Sequence, residues 1–256
     1  MKYIRAILTP AELPDLRQSD LHDTVCVVFD ILRATSTFVT ALNHGAKRVI
    51  PVSEIAAALA WREKDPGVLL AGERNGVKIG AALTGGRPFD LGNSPREFGP
   101  ETVRDKTIVS TTTNGTRALN ACRAAQTVLA GSFLNLGATA GFLLENPASH
   151  ITLVCAGTTE HASLEDVLAA GALCDRLLAG TAKYSLSDSA AITWRTFQQS
   201  QSDLAAVLPT TDNGRRLMAI PELRADVAWC ARTDAFPLVA LLHEDALIGQ
   251  SPPSHG

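Results

Sequence analysis

Short runs of apolar, often β-branched residues alternate along the chain with longer Ala-rich stretches whose apolar positions recur every three or four residues. The first kind predicts strands near 3–8, 24–30, 47–51, 67–71, 106–111, 126–130 and 150–155. The second predicts helices over 34–45, 53–64, 114–125, 132–146 and 163–180. Several of these open on Ser, Thr or Asn and close at Gly, the residues that satisfy free backbone groups at helix ends. Strands separated by helices imply an α/β fold, a mostly parallel sheet covered on both faces.

The last third departs from this rhythm. From Asp188 to Arg232 the spacing is helical with polar breaks, and "FPLVALL" and "ALIG" then predict two closing strands, read as an edge hairpin after a helical cap around 185–235. The closing "SPPSHG" reads as a frayed tail. The whole of 1–256 reads as one catalytic α/β domain. Between Gly72 and Pro100 a Gly- and Pro-rich stretch shows little periodicity and is too long for a mere connector, which marks it as functional.

Composition narrows the classes. With 46% apolar and 19% charged residues the chain is an ordinary folded protein. Its 23 basic residues nearly balance 26 acidic ones and form no run longer than Lys47-Arg48 or Arg215-Arg216, which argues against nucleic acid as a partner. No window approaches the roughly 20 apolar residues of a membrane span. The N-terminal apolar stretch is too short for a signal peptide, and the five cysteines are odd in number, lack a CxxC and sit mostly in apolar runs. A cytoplasmic protein with reduced thiols is expected.

In an open parallel sheet, ligands bind beyond the carboxyl ends of the strands. Here those ends carry Asp30 with Arg33, Thr35 and Ser36; Glu73 with Arg74; Asp90, Asn93, Ser94 and Arg96; the turn "TTTNGT" with Thr113, Asn114 and Gly115; and "GTTEHASLED" with Glu165 and Asp166. Each has a structural alternative. Asp30 can cap the following helix, "SLED" fits a capping box, and Glu73-Arg74 fits an exposed ion pair. If Asp30, Glu73, Asp90 and Glu165 or Asp166 converge instead, a divalent cation must compensate them, and oxygen ligands without a His or Cys cluster point to Mg²⁺. Arg33, Arg74 and Arg96 beside such an ion would receive a polyanion, and the combination suggests phosphoryl chemistry. An aspartyl-phosphate mechanism with a second Asp two residues on fails at Leu32. A Cys-x5-Arg nucleophile fails because His161 stands six residues after Cys155, and no P-loop occurs.

The ordered motifs "VVFDILRATSTFVTALNHGA", "LAGERNG", "FDLGNSPREF", "TTTNGTRAL" and "AGTTEHASLEDVLAAG" resemble those of the 2-phosphosulfolactate phosphatase family, over roughly 20–245. The resemblance implies a three-layer α/β/α fold about a mixed sheet, a homodimer, and Mg²⁺-dependent hydrolysis of 2-phosphosulfolactate to 3-sulfolactate and phosphate, as in coenzyme M biosynthesis. On this reading Asp30, Glu73 and Glu165 hold Mg²⁺, with Asp166 and Asp90 as second choices. Arg33, Thr113, Asn114 and Gly115 hold the phosphoryl group, and Arg74, Asn93 and Arg96 take the carboxylate or sulfonate. Water attacks, since no activated side-chain nucleophile is evident. The alternatives are a Mg²⁺-dependent phosphatase of another phosphorylated hydroxy acid or sugar, and a non-catalytic anion-binding module.

Overall fold

A computed structural model describes residues 2–180 and 183–251. The tail predicted from "SPPSHG" lies outside the described residues except for Ser251. The strands are β1 (Lys2–Ile7), β2 (Thr24–Phe29), β3 (Arg48–Pro51), β4 (Leu69–Arg74), β5 (Val77–Lys78), β6 (Thr107–Thr111), β7 (Thr127–Gly131), β8 (His150–Cys155), β9 (Tyr184–Leu186), β10 (Val239–His243) and β11 (Ala246–Gln250). They form one 11-stranded sheet in the order β5-β4-β6-β3-β11-β10-β7-β2-β8-β1-β9. The seven strands predicted from apolar runs are all present; β5 and β9, too short to show periodicity, form the two edges.

Strand β2 shows why three layers form. Its residues are all buried, and they alternate between two cores: Cys26 and Val28 belong to one, Val25, Val27 and Phe29 to the other. A strand with apolar residues on both faces needs cover on both. One face receives the helices Leu13–Gln18, Ala34–Asn43 and Gly115–Ala121, through Leu16, Phe38 and Leu119 among others. The other receives Leu136–Glu145 and Leu164–Leu178, through Leu143, Leu168 and Leu173. A third core around Leu70, Phe89 and Val109 packs on Ala58 of the helix Ile55–Lys64. The fold is α/β with a large mixed, mostly parallel sheet.

The closing hairpin corrects its predicted place. β10 and β11 lie in the middle of the sheet, β10 antiparallel to β7 and β11 antiparallel to β3. "FPLVALL" lacks the alternating polar face of an edge, and Val239, Ala240 and Leu247 are buried accordingly. The hairpin joins two parallel blocks, β4-β6-β3 and β7-β2-β8-β1-β9. Three antiparallel steps reverse the sense of one block relative to the other. A twist of roughly 20–25° per strand accumulates over the five steps from β2 to β6 and swings the reversed strands back toward a common end. The residues after Ser187 are largely helical, in Asp188–Ser200, Leu204–Val207, Asp212–Met218 and Arg224–Cys230. Among the described residues no helix is long and apolar enough to cross a membrane.

Candidate active site

The ends of β2, β4, β6 and β8 meet around one pocket, which Asp30, Arg33, Glu73, Thr113, Glu165 and Asp166 line together. Asp30 follows the last residue of β2. Its Oδ1 accepts from the Ala34 N–H at 3.1 Å, and the Gly115 N–H also reaches the carboxylate. The capping role considered from sequence is therefore real, and it leaves the other oxygen facing the helix start at Gly115. A Cβ at Gly115 would lie 2.7 Å from Asp30 Oδ2 and 2.6 Å from the Ala34 Cβ, so only glycine permits this approach. Burial lifts the Asp30 pKa to about 7; Glu73 and Glu165 push the same way, and the Ala34 and Gly115 N–H groups oppose them.

Glu73, at the end of β4, is buried and held at both oxygens. Oε1 accepts from the Thr113 N–H at 2.9 Å and its hydroxyl at 3.0 Å; Oε2 accepts from the Gly76 N–H at 2.7 Å. Glu165 and Asp166 start the helix Leu164–Leu178. Asp166 forms no capping box with Ser163. It receives the Ile31 N–H at 2.8 Å and the Gly157 N–H at 3.0 Å, fastening the loops after β2 and β8 to each other. Burial raises its pKa well above the usual range, reinforced by Glu165 and Asp30. Glu165 is 1% exposed; its Oε1 accepts from Asn213 Nδ2 at 2.6 Å, while Oε2 is buried without a hydrogen-bond partner.

Arg33 is the one predicted arginine in the pocket. Its guanidinium donates to Asp226 Oδ2 at 2.7 Å and to the Gly76 carbonyl at 2.8 Å, which fixes a fork whose remaining N–H groups are uncommitted in these bonds. Asn93 and Asn114 also line the wall.

Four predicted residues are outside the pocket lining; one is Gly115, expected to hold the phosphoryl group, whose N–H goes to the Asp30 carboxylate instead. Arg74 turns away and donates to the Glu73 carbonyl at 2.7 Å and to Thr111 Oγ1 at 3.1 Å. Arg96 is exposed behind the pocket, donating to the Glu222 carbonyl at 3.3 Å and standing 3.7 Å from Asp226. Asp90 is paired with Arg62 and Arg87 and accepts from the Leu70 N–H at 2.8 Å, so it anchors the loop and does not join the carboxylates that line the pocket. Cys155 is fully buried, and burial pushes its thiol well up, as befits a core residue rather than a nucleophile.

The last third supplies residues that sequence reasoning did not single out. Asn213 and Arg216, on the helix Asp212–Met218, line the pocket, and Asp226 grips Arg33 from the helix Arg224–Cys230. The signals for them were the polar "DNGRRL" on a short helix for Asn213 and Arg216, and "DVAWCARTD" for Asp226, both in the part of the chain that resembles the family's later helices. Among the described residues no three Asp, Glu, His or Cys side chains form a ready-made cage for a metal ion. The donor set nevertheless fits Mg²⁺, which is commonly held by one or two carboxylates with water and substrate phosphate completing its octahedron. The unpartnered Glu165 Oε2 is the atom most in need of such an ion.

A layered α/β fold with acidic and guanidinium groups around one polar pocket suits an enzyme that acts on an anionic substrate, and its relatives place it among the phosphoric monoester hydrolases. The 2-phosphosulpholactate phosphatase family description matches residues 8–245. A probable 2-phosphosulfolactate phosphatase of Pseudothermotoga lettingae is 40% identical over 89% of this chain and 93% of its own length. Those of Thermotoga petrophila and Caldicellulosiruptor saccharolyticus are 42% and 35% identical, over 88% and 89% of this chain and 91% and 93% of theirs. The chain belongs to the 2-phosphosulfolactate phosphatase family.

Proposed function

We propose that this protein hydrolyses 2-phosphosulfolactate to 3-sulfolactate and phosphate in a Mg²⁺-dependent reaction, the step that serves coenzyme M biosynthesis. The observation that carries the reading is a charge imbalance. Asp30, Glu73, Glu165 and Asp166 share the pocket with Arg33 and Arg216, and Arg33 is already matched by Asp226. Such a pocket binds a phosphorylated carboxylate and sulfonate only weakly unless a cation joins it. Asp30, Glu73 and Glu165 would hold Mg²⁺, which supplies charge neutralisation at the phosphoryl oxygens and a more acidic water.

The chain's own groups do the rest. Arg33, clamped at two points, presents its free N–H groups to the phosphoryl oxygens without having to be ordered on binding. Thr113 and Asn114 form the rim of that subsite, and Arg216 faces the anionic end of the substrate. Water attacks phosphorus, the bond from phosphorus to the C2 oxygen breaks, and that oxygen leaves with a proton. Buried, unbridged thiols suit a reducing cytoplasm.

The test is phosphate release from 2-phosphosulfolactate, 2-phospholactate and phosphoglycolate, with Mg²⁺ and with chelator. The highest kcat/KM is expected for phosphosulfolactate, with no release under chelation. Faster turnover of phospholactate would move the substrate to another hydroxy acid; no release from any ester over a panel of divalent ions would end the phosphatase reading. Light scattering at twice the 27.1 kDa chain mass would match the family expectation of a homodimer.

A further inference from the structure

Opposite charges that share a pocket tend to collapse onto each other, and a collapsed pair serves neither metal nor substrate. Glu165 and Arg216 are such charges. The group between them is Asn213, 6% exposed, whose Nδ2 donates to Glu165 Oε1 at 2.6 Å and whose Oδ1 accepts from Arg216 Nη2 at 2.9 Å. The orientation of this amide is fixed by chemistry, since an ionised carboxylate can only accept and a guanidinium can only donate. Thr158 Oγ1, 2.7 Å from Nδ2, and Ser163 Oγ, 3.3 Å from it, hold the same end. Arg216 lies one turn after Asn213 on the helix Asp212–Met218, so the two side chains share a face. Glu165 and Arg216 are thus no further apart than one amide and two hydrogen bonds, yet they do not pair with each other.

We propose that Asn213 is a positioning residue, a neutral spacer that keeps Glu165 and Arg216 from forming an ion pair. It leaves the Glu165 carboxylate available to a cation and the Arg216 guanidinium available to an anion; naming Mg²⁺ and the sulfonate or carboxylate of the substrate as those occupants rests on the function proposed above. Only a side chain with a donor end and an acceptor end satisfies both charges while adding none of its own. Alanine would open the gap and let Arg216 swing to Glu165, while aspartate would set a second carboxylate against Glu165.

The test reads inorganic phosphate binding by calorimetry on the metal-free protein, so it does not depend on turnover. Asn213→Ala is expected to weaken phosphate binding by about tenfold, near 1.4 kcal/mol, because Arg216 becomes matched by Glu165. Glu165→Gln then discriminates a spacer from a merely structural amide. In the Asn213→Ala background it should restore phosphate binding, and the gain should exceed the gain in the wild-type background by about threefold or more, as for residues in contact. Equal gains in the two backgrounds, or undiminished phosphate binding by Asn213→Ala, overturn the proposal. Asn213→Ser, which cannot span both partners, provides the same comparison if the alanine variant does not fold. Failure of wild-type phosphatase activity would be a separate result, bearing on the proposed function and not on the spacer.

Discussion

Asp226 offers the sharpest test of how the last third of the chain serves the pocket. It is fully buried on the helix Arg224–Cys230, accepts from Arg33 Nη1 and Ser94 Oγ, both at 2.7 Å, and Arg33 itself is 4% exposed. Asp226→Ala would leave the Arg33 charge buried with the Gly76 carbonyl as its remaining partner. Breaking a buried pair from one side costs about 3–5 kcal/mol, a large share of the roughly 5–15 kcal/mol that holds a domain together. Asp226→Asn keeps the shape and an acceptor for Ser94 but not the charge, and should cost about 1.5–3 kcal/mol. Urea unfolding reads these as a lower midpoint at unchanged slope. Measured well below the melting temperature, kcat/KM for phosphate release should also fall in both variants, since Arg33 is no longer clamped. An alanine variant within about 0.5 kcal/mol of wild type, the range of ordinary surface changes, with unaltered kcat/KM, would refute the assignment.

Three further outcomes follow from the geometry. Gly115→Ala, whose Cβ would lie 2.6 Å from the Ala34 Cβ, must push two helices apart; about 1–3 kcal/mol of stability and most of the turnover should be lost, by thermal melting and phosphate release. Gly80→Ala, with nothing within 4 Å of the added atom, is the control. The metal-free protein should melt higher at pH 5 than at pH 8. Asp30 and Asp166 bind protons more tightly folded than unfolded, so this contribution is full below their ordinary pKa near 3.8 and is lost as pH rises through about 7 for Asp30; a melting temperature flat or rising over pH 5–8 would contradict it. Asp90→Asn should leave kcat/KM unchanged and cost about 1–3 kcal/mol of stability, since Asp90 ties Arg62, Arg87 and the Leu70 N–H to the loop; a large loss of activity would return it to the site.

What could be read from the chain divides along physical lines. Val25 to Phe29 announced a central strand because burial on both faces leaves no polar alternation, and the polar ends of such strands marked Asp30, Glu73 and Glu165. Arg74 failed for an equally simple reason. Successive side chains of a strand point to opposite sides, so once Glu73 faces the pocket Arg74 cannot. Asp90 and Arg96 are near the site in sequence, but their loop is folded by their own ion pairs and carbonyl contacts, which composition does not reveal. Asn213, Arg216 and Asp226 were hidden differently. Polar residues on amphipathic helices normally face water, and nothing local distinguishes those that turn inward. The place of the hairpin was equally hidden, because β10 and β11 settle between strands far from them in sequence.

The two arginines at the pocket show how one charge type is used in two ways. Arg33 is partnered by a carboxylate, so Asp226 holds it in place and cancels it; what it offers a phosphoryl group is a rigid fork of donors at little net charge. Arg216 is partnered by an amide, so Asn213 holds it in place and cancels nothing. The attraction that draws an anion into a carboxylate-rich pocket therefore falls to Arg216 and to whatever cation the carboxylates hold. Both partners, Asp226 and Asn213, come from helices of the last third, which follows every strand end that carries a pocket carboxylate. The charge on each arginine is thus set from a part of the chain separate from the loops that carry the acids, so the two can change independently while the sheet beneath stays fixed.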